Sequence, residues 1–208
     1  MGTNCFLLLV LCILTVASYM PIPKREVGFV YRGGSATAPV HLDVYLDLAC
    51  PDSKDAFPTL VQVADHYGAG VLQLTSHIFP LPYHRTSFNS AKGAHIVNNL
   101  ADLNTTYDWI KLVFDNYDSL TTKATFKMSD EQVIDMLAKI ASKLGISESK
   151  FKKLYSDESV EQNTRVAWKY GCTRGVSGTP TFMLNDVVVD ADPSWTLKQW
   201  QKLIDPLL

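Results

Sequence analysis

The run Cys50-Pro51-Asp52-Ser53 stands where an alternating apolar pattern ends and a helical one begins. A thiol at such a junction meets the unpaired N–H groups of the helix start and the positive end of its dipole. Both favour thiolate, the nucleophilic form of cysteine. Pro51 suits the first helical turn, where its missing N–H would go unused. Asp52 also suits a helix start, but a carboxylate beside a thiol works against ionisation. A moderately activated nucleophile is expected; the competing reading is a small buried cysteine that precedes a helix. A second stretch, Gly175-Val176-Ser177-Gly178-Thr179-Pro180-Thr181-Phe182, runs into a strand pattern. Proline there gives up a ladder donor. A cis Thr179–Pro180 bond would account for it and would present the Thr179 backbone to an extended peptide. An ordinary trans proline in a glycine-rich loop is the plainer alternative.

The elements that must hold these residues follow from periodicity. Val40 to Asp47 alternates and is rich in β-branched and aromatic residues, which predicts a strand. Lys54 to Tyr67 carries Phe57, Leu60, Val61 and Ala64 at helical spacing, and Pro58 inside it predicts a kink or a restart. Val27 to Tyr31 and Val71 to Phe79 read as further strands, the latter broken by Pro80-Leu81-Pro82-Tyr83-His84. From about Ser87 to Gly171 the pattern is helical almost throughout. Ser129 with Gln132 predicts a capping box, Gly145 a stop, Ser147 a short helix, and Ser159 with Gln162 the start of another. Thr181–Leu184 and Val187–Val189 then read as two strands of a hairpin turning at Asn185-Asp186, before a final helix from Trp195 to Ile204. The order is that of an α/β core carrying an all-helical insertion.

Strand, Cys-Pro-x-x, helix, helical block, then Gly-Val-Ser-Gly-Thr-Pro-Thr-Phe before a hairpin and helix resembles the DsbA-like branch of the thioredoxin superfamily. The resemblance covers about Val40 to Ile204. Cys-Pro-Asp-Ser, Leu81-Pro82-Tyr83-His84 and Gly171-Cys172-Thr173-Arg174-Gly175 look like a eukaryotic, secreted subgroup of it. It implies a thioredoxin-like fold over 40–208 with an inserted helical subdomain at about 83–173, after a lead-in at 19–39. It implies that Cys50 is the nucleophile, that Pro180 is a cis-proline beside it, and that Pro51 and Thr179 flank the substrate. Redox-active members carry Cys-Pro-x-Cys, whereas this chain has Ser53 at the second cysteine. A hydroxyl can hydrogen-bond the thiolate or cap the helix, but it forms no disulfide.

Three readings follow. Cys50 acts as a monothiol on protein disulfides or thiols, with glutathione as a co-substrate completing the exchange and no bound cofactor. Cys172, eight residues before Pro180, is its redox partner. Or redox activity is lost and the groove at Thr179-Pro180 binds extended peptide. A glutathione transferase of the kappa type shares the architecture, but the cysteine itself argues against that reading.

Among the 208 residues, 47% are apolar and 19% charged, and the net charge is −2. That is ordinary for a packed domain and gives no reason to expect nucleic acid or an anionic membrane as partner. Phe6 to Ala17 is an apolar run too short to span a bilayer comfortably, and small residues follow it. It reads as a signal peptide over 1–18, implying a protein secreted or held in the ER lumen, with no membrane association after cleavage. Cys5 and Cys12 fall inside it, leaving Cys50 and Cys172 in the mature chain. Asn104-Thr105-Thr106 is a glycosylation sequon. His41, His66, His77, His84 and His95 lack metal-ligand spacing. Of these, His84 could line the Cys50 cleft, though a surface or packing role is the default. Tyr107, Trp109, Phe114 and Tyr117 recur at helical spacing and read as core.

Overall fold

A computed structural model describes residues 22–23 and 26–208; the expected signal peptide lies outside the described residues. Strands β1 (Phe29–Val30), β2 (Val40–Leu46), β3 (Leu72–Ile78), β4 (Thr181–Leu184) and β5 (Val187–Val189) form one sheet in the order β1-β3-β2-β4-β5. β2 and β3 run parallel, with Leu42 opposite Leu74 and Leu46 opposite Ile78. The other pairings are antiparallel. A parallel pair needs a crossover, and α1 (Pro51–Tyr67) supplies it.

Alternation along β2 divides the interior between the two faces of the sheet. Val40, Leu42, Val44 and Leu46 join Phe57, Leu60 and Val63 of α1 in the main core. Tyr45 points the other way, into a smaller cluster with Phe79, Leu81, Val176 and Met183. Each fully buried leucine there contributes about 1.5–3 kcal/mol. The last helix, α9 (Leu197–Ile204), closes the main core with Trp200, which meets Phe182 edge-on at 5.3 Å. The Asn185-Asp186 hairpin turn takes φ of 47° and 68°, the left-handed pair that a two-residue turn demands.

Between β3 and β4 lies the helical insertion: α2 (Ser87–Leu100), α3 (Leu103–Asp115), the short α4 (Tyr117–Leu120) and α5 (Thr122–Thr125), then α6 (Asp130–Ser142), α7 (Glu148–Tyr155) and α8 (Glu158–Thr173). Tyr107, Trp109 and Phe114 are buried in the core, as their spacing predicts. Trp109 lies so close to Gly93 that a Cβ there would collide with its indole. Gly171 likewise lets α8 approach the ring of Phe79. The capping box at Ser129 and Gln132 is present.

Two local expectations need correction. α1 runs unbroken through Pro58, which sits exposed on the outer face, so water can serve the carbonyl that its missing N–H leaves free. α8 is capped by Asp157, two residues earlier than expected, whose carboxylate accepts from the N–H of Ser159 at 2.8 Å and from its hydroxyl at 2.6 Å.

Candidate functional site

At the end of β2 the chain turns through Asp47-Leu48-Ala49, and the Cys50 N–H donates to the Asp47 carbonyl at 3.0 Å. Cys50 has extended backbone angles and is the N-cap of α1, with its own carbonyl accepting from the Lys54 N–H at 3.1 Å. Cys50 thus stands immediately before the free N–H groups of the first turn. Only 4% of the residue is exposed.

The wall facing it comes from the far end of the chain. The Thr179–Pro180 peptide bond is cis. The Cys50 thiol donates to the Thr179 carbonyl at 3.3 Å, so the loop before β4 lies directly against the sulfur. Thr181 ties that loop down by donating from its hydroxyl to the Gly178 carbonyl at 2.8 Å. The Thr179 hydroxyl oxygen is buried with no hydrogen-bond partner.

Ser53 is fully buried one turn into α1, and its hydroxyl oxygen accepts from the backbone N–H of Asp47 at 3.2 Å. Its recorded contact is therefore with the strand end. The N-cap carries no side-chain capping bond.

Asp47 is the residue that sequence reasoning passed over. Its carboxylate is entirely buried, three positions before Cys50. One oxygen accepts from the Ala49 N–H at 2.9 Å and from the Ser87 hydroxyl. The other accepts from the Leu81 N–H at 3.2 Å and from Nδ1 of His84 at 2.6 Å. A buried carboxylate is tolerable only when so satisfied. His84 is consequently fastened to the strand end that carries Cys50. The one signal available was an acid closing the apolar run Val44-Tyr45-Leu46.

Tyr117 was grouped with the core aromatics, but it is half-buried, and the Lys54 ammonium stands 5.5 Å from its ring centroid. Burial pushes its phenol up, and the charges of Cys50, Asp118, Asp47 and Asp52 add to that effect. Tyr117 therefore brings the helical insertion to the rim of the site. Cys172 is an exposed free thiol on the last turn of α8, and Cys50 is also unbonded. Burial pushes the Cys172 thiol above its usual range. Asn104 is exposed in the first turn of α3.

A family model described as thioredoxin matches residues 29–206. The chain belongs to the thioredoxin family. No curated protein matches it. Among solved structures, the chain is similar to a putative protein-disulfide isomerase from Pseudomonas syringae, at 17% identity and TM-score 0.71, covering 85% of this chain and 97% of that one. It is also similar to DsbA from Chlamydia trachomatis, at 16% identity and TM-score 0.71, covering 91% and 95%. A third is the thiol-disulfide exchange protein alpha-DsbA2 from Wolbachia pipientis, at 21% and 0.66, covering 87% of each chain. The shared architecture is the DsbA-like form of the thioredoxin fold with its helical insertion. No helix among the described residues is long and apolar enough to cross a membrane.

Proposed function

We propose that this protein carries out monothiol thiol–disulfide exchange with Cys50 as nucleophile. The observation that carries the reading is the placement of the Cys50 thiol on the α1 N-terminus, against the Thr179 carbonyl, with serine at the position of a resolving cysteine. The Cys50 sulfur attacks one sulfur of a disulfide; a new S–S bond forms to Cys50, the old one breaks, and the second sulfur leaves as a thiol. A protein thiol or glutathione then attacks the mixed disulfide and restores Cys50. Ser53 supports the loop that carries the nucleophile. Pro51, Thr179 and Pro180 form the ledge for the substrate backbone. The thiol-disulfide exchange and disulfide-isomerase names of the similar structures support this chemistry at a coarse level.

The same reading places the protein in the secretory pathway, outside the cell or in the ER lumen, with Asn104 open to glycosylation. It rests on the apolar leader and the exposure of Asn104. Incubation with oxidised glutathione followed by peptide mass spectrometry tests the chemistry: Cys50 should gain one glutathione, and reduced glutathione should remove it. A Cys50 that never forms the adduct would favour a peptide-binding module without redox chemistry.

A further inference from the structure

A monothiol exchange has to manage two protons: the one on the attacking thiol and the one needed by the sulfur that leaves. A helix N-terminus favours charge on a nearby sulfur, but it gives no proton to a departing aliphatic thiolate, which leaves more slowly the higher its pKa. The structure holds an imidazole tied to the same loop. Two backbone N–H groups and the Ser87 hydroxyl already donate to the Asp47 carboxyl oxygens, a set of donors that assigns Nδ1 of His84 the donor role in their 2.6 Å hydrogen bond. That fixes the ring and leaves Nε2 as its free working edge, the arrangement in which a carboxylate orients a histidine base. The His84 side chain is 22% exposed while its Asp47 partner is fully buried, so the ring is anchored inside and open outside. The same carboxylate holds the N–H of Ala49, the residue before Cys50, which ties the ring to the nucleophile through one side chain. Tyr83 stands edge-on to the ring at 4.8 Å and is itself exposed.

We propose that His84 is the general acid–base of the site and Asp47 its positioning residue, an inference that rests on the exchange function above. Nε2 takes the proton of the Cys50 thiol as the sulfur attacks the disulfide. The S–S bond of the substrate breaks, its electron pair goes to the departing sulfur, and the proton on Nε2 passes to that sulfur. Attack by glutathione on the mixed disulfide reverses the roles: the glutathione proton reaches His84 and then the Cys50 sulfur. No outside oxidant is required, since the disulfide is the electron acceptor.

The test compares two disulfides that differ in their need for a proton. Oxidised glutathione releases an aliphatic thiolate; an aromatic nitrothiobenzoate disulfide releases one that leaves unprotonated. His84→Gln keeps an N–H for Asp47, and His84→Asn provides a second variant if the first folds poorly. His84→Gln should slow exchange with oxidised glutathione about a hundredfold, the usual scale of a lost general acid. With the aromatic disulfide only the base role is lost, so the slowing should be clearly smaller, about tenfold. Equal slowing with both disulfides, or none with either, overturns the assignment, because a packing role cannot distinguish leaving groups. A wild-type protein inactive on both overturns the exchange function itself.

Discussion

The Cys50 thiol and the Thr179 carbonyl, 129 positions apart in the chain, meet at 3.3 Å. The contact requires three things at once: β2 must end at Leu46, α1 must start at Pro51, and the loop before β4 must turn its backbone toward the sulfur. In the proposed exchange, it pairs the nucleophile with the backbone that an extended substrate would use.

Replacing Ser53 by cysteine restores the two-cysteine motif on a backbone that already has its spacing. S53C should form a Cys50 disulfide under oxidised glutathione, detected as loss of two alkylatable thiols by mass spectrometry. Because the Asp47 N–H would then face sulfur, the reduced form should lose about 1 kcal/mol in a urea titration. Two thiols that both stay free would mean that the motif geometry differs from that described.

Asp47 gathers four donors into the interior. Asp47→Ala leaves them unmatched, at about 1–3 kcal/mol for each that water cannot reach, so a total loss above ~3 kcal/mol is expected. Asp47→Asn retains one acceptor oxygen and should cost less. Urea midpoints for the two variants measure the difference; an Asp47→Ala midpoint equal to wild type would remove Asp47 from its structural role.

These two residues mark where sequence reading succeeded and where it stopped. The place of Cys50 and Pro51 at a strand–helix junction was legible because its signal is local: the proline and the alternating-to-helical change of pattern lie side by side in the chain. The Asn185-Asp186 turn and the Ser129–Gln132 box were legible for the same reason. Asp47 was not, since its meaning depends on Leu81, His84 and Ser87, which reach it only once β3 has paired with β2. Tyr117 shows the same limit. Its helical spacing matched that of Trp109 and Phe114, but a break in the helix after Asp115 turns it toward Lys54 instead.

Gly93 should tolerate no side chain. A Cβ at this position meets the Trp109 indole within a buried helix contact, so Gly93→Ala should cost about 1–3 kcal/mol and lower the melting temperature. Alkylation of Cys50 in the folded state should be unchanged, because the contact lies in the helical insertion.

Glu161 supplies a pH dependence with a definite sign. Burial raises its carboxyl, but hydrogen bonds and charges from Lys92 and Arg165 outweigh that and hold it below the usual carboxylate range. A group lowered on folding stabilises fully above its unfolded value and loses that contribution as pH falls through the folded one. Glu161→Gln should therefore lower the melting temperature most near neutrality, and the gap to wild type should narrow as the solution is acidified below the ordinary glutamate range. A gap that widens with acid would contradict the Lys92–Glu161 pairing.

The central claim is that Cys50 is a working monothiol, and the most direct measurement is site-resolved mass spectrometry after oxidised glutathione at neutral pH. The account predicts one glutathione on Cys50, removed by reduced glutathione, retained in Cys172→Ser and absent in Cys50→Ser. A Cys50 that stays unmodified, or a Cys50–Cys172 disulfide in place of the adduct, would contradict it.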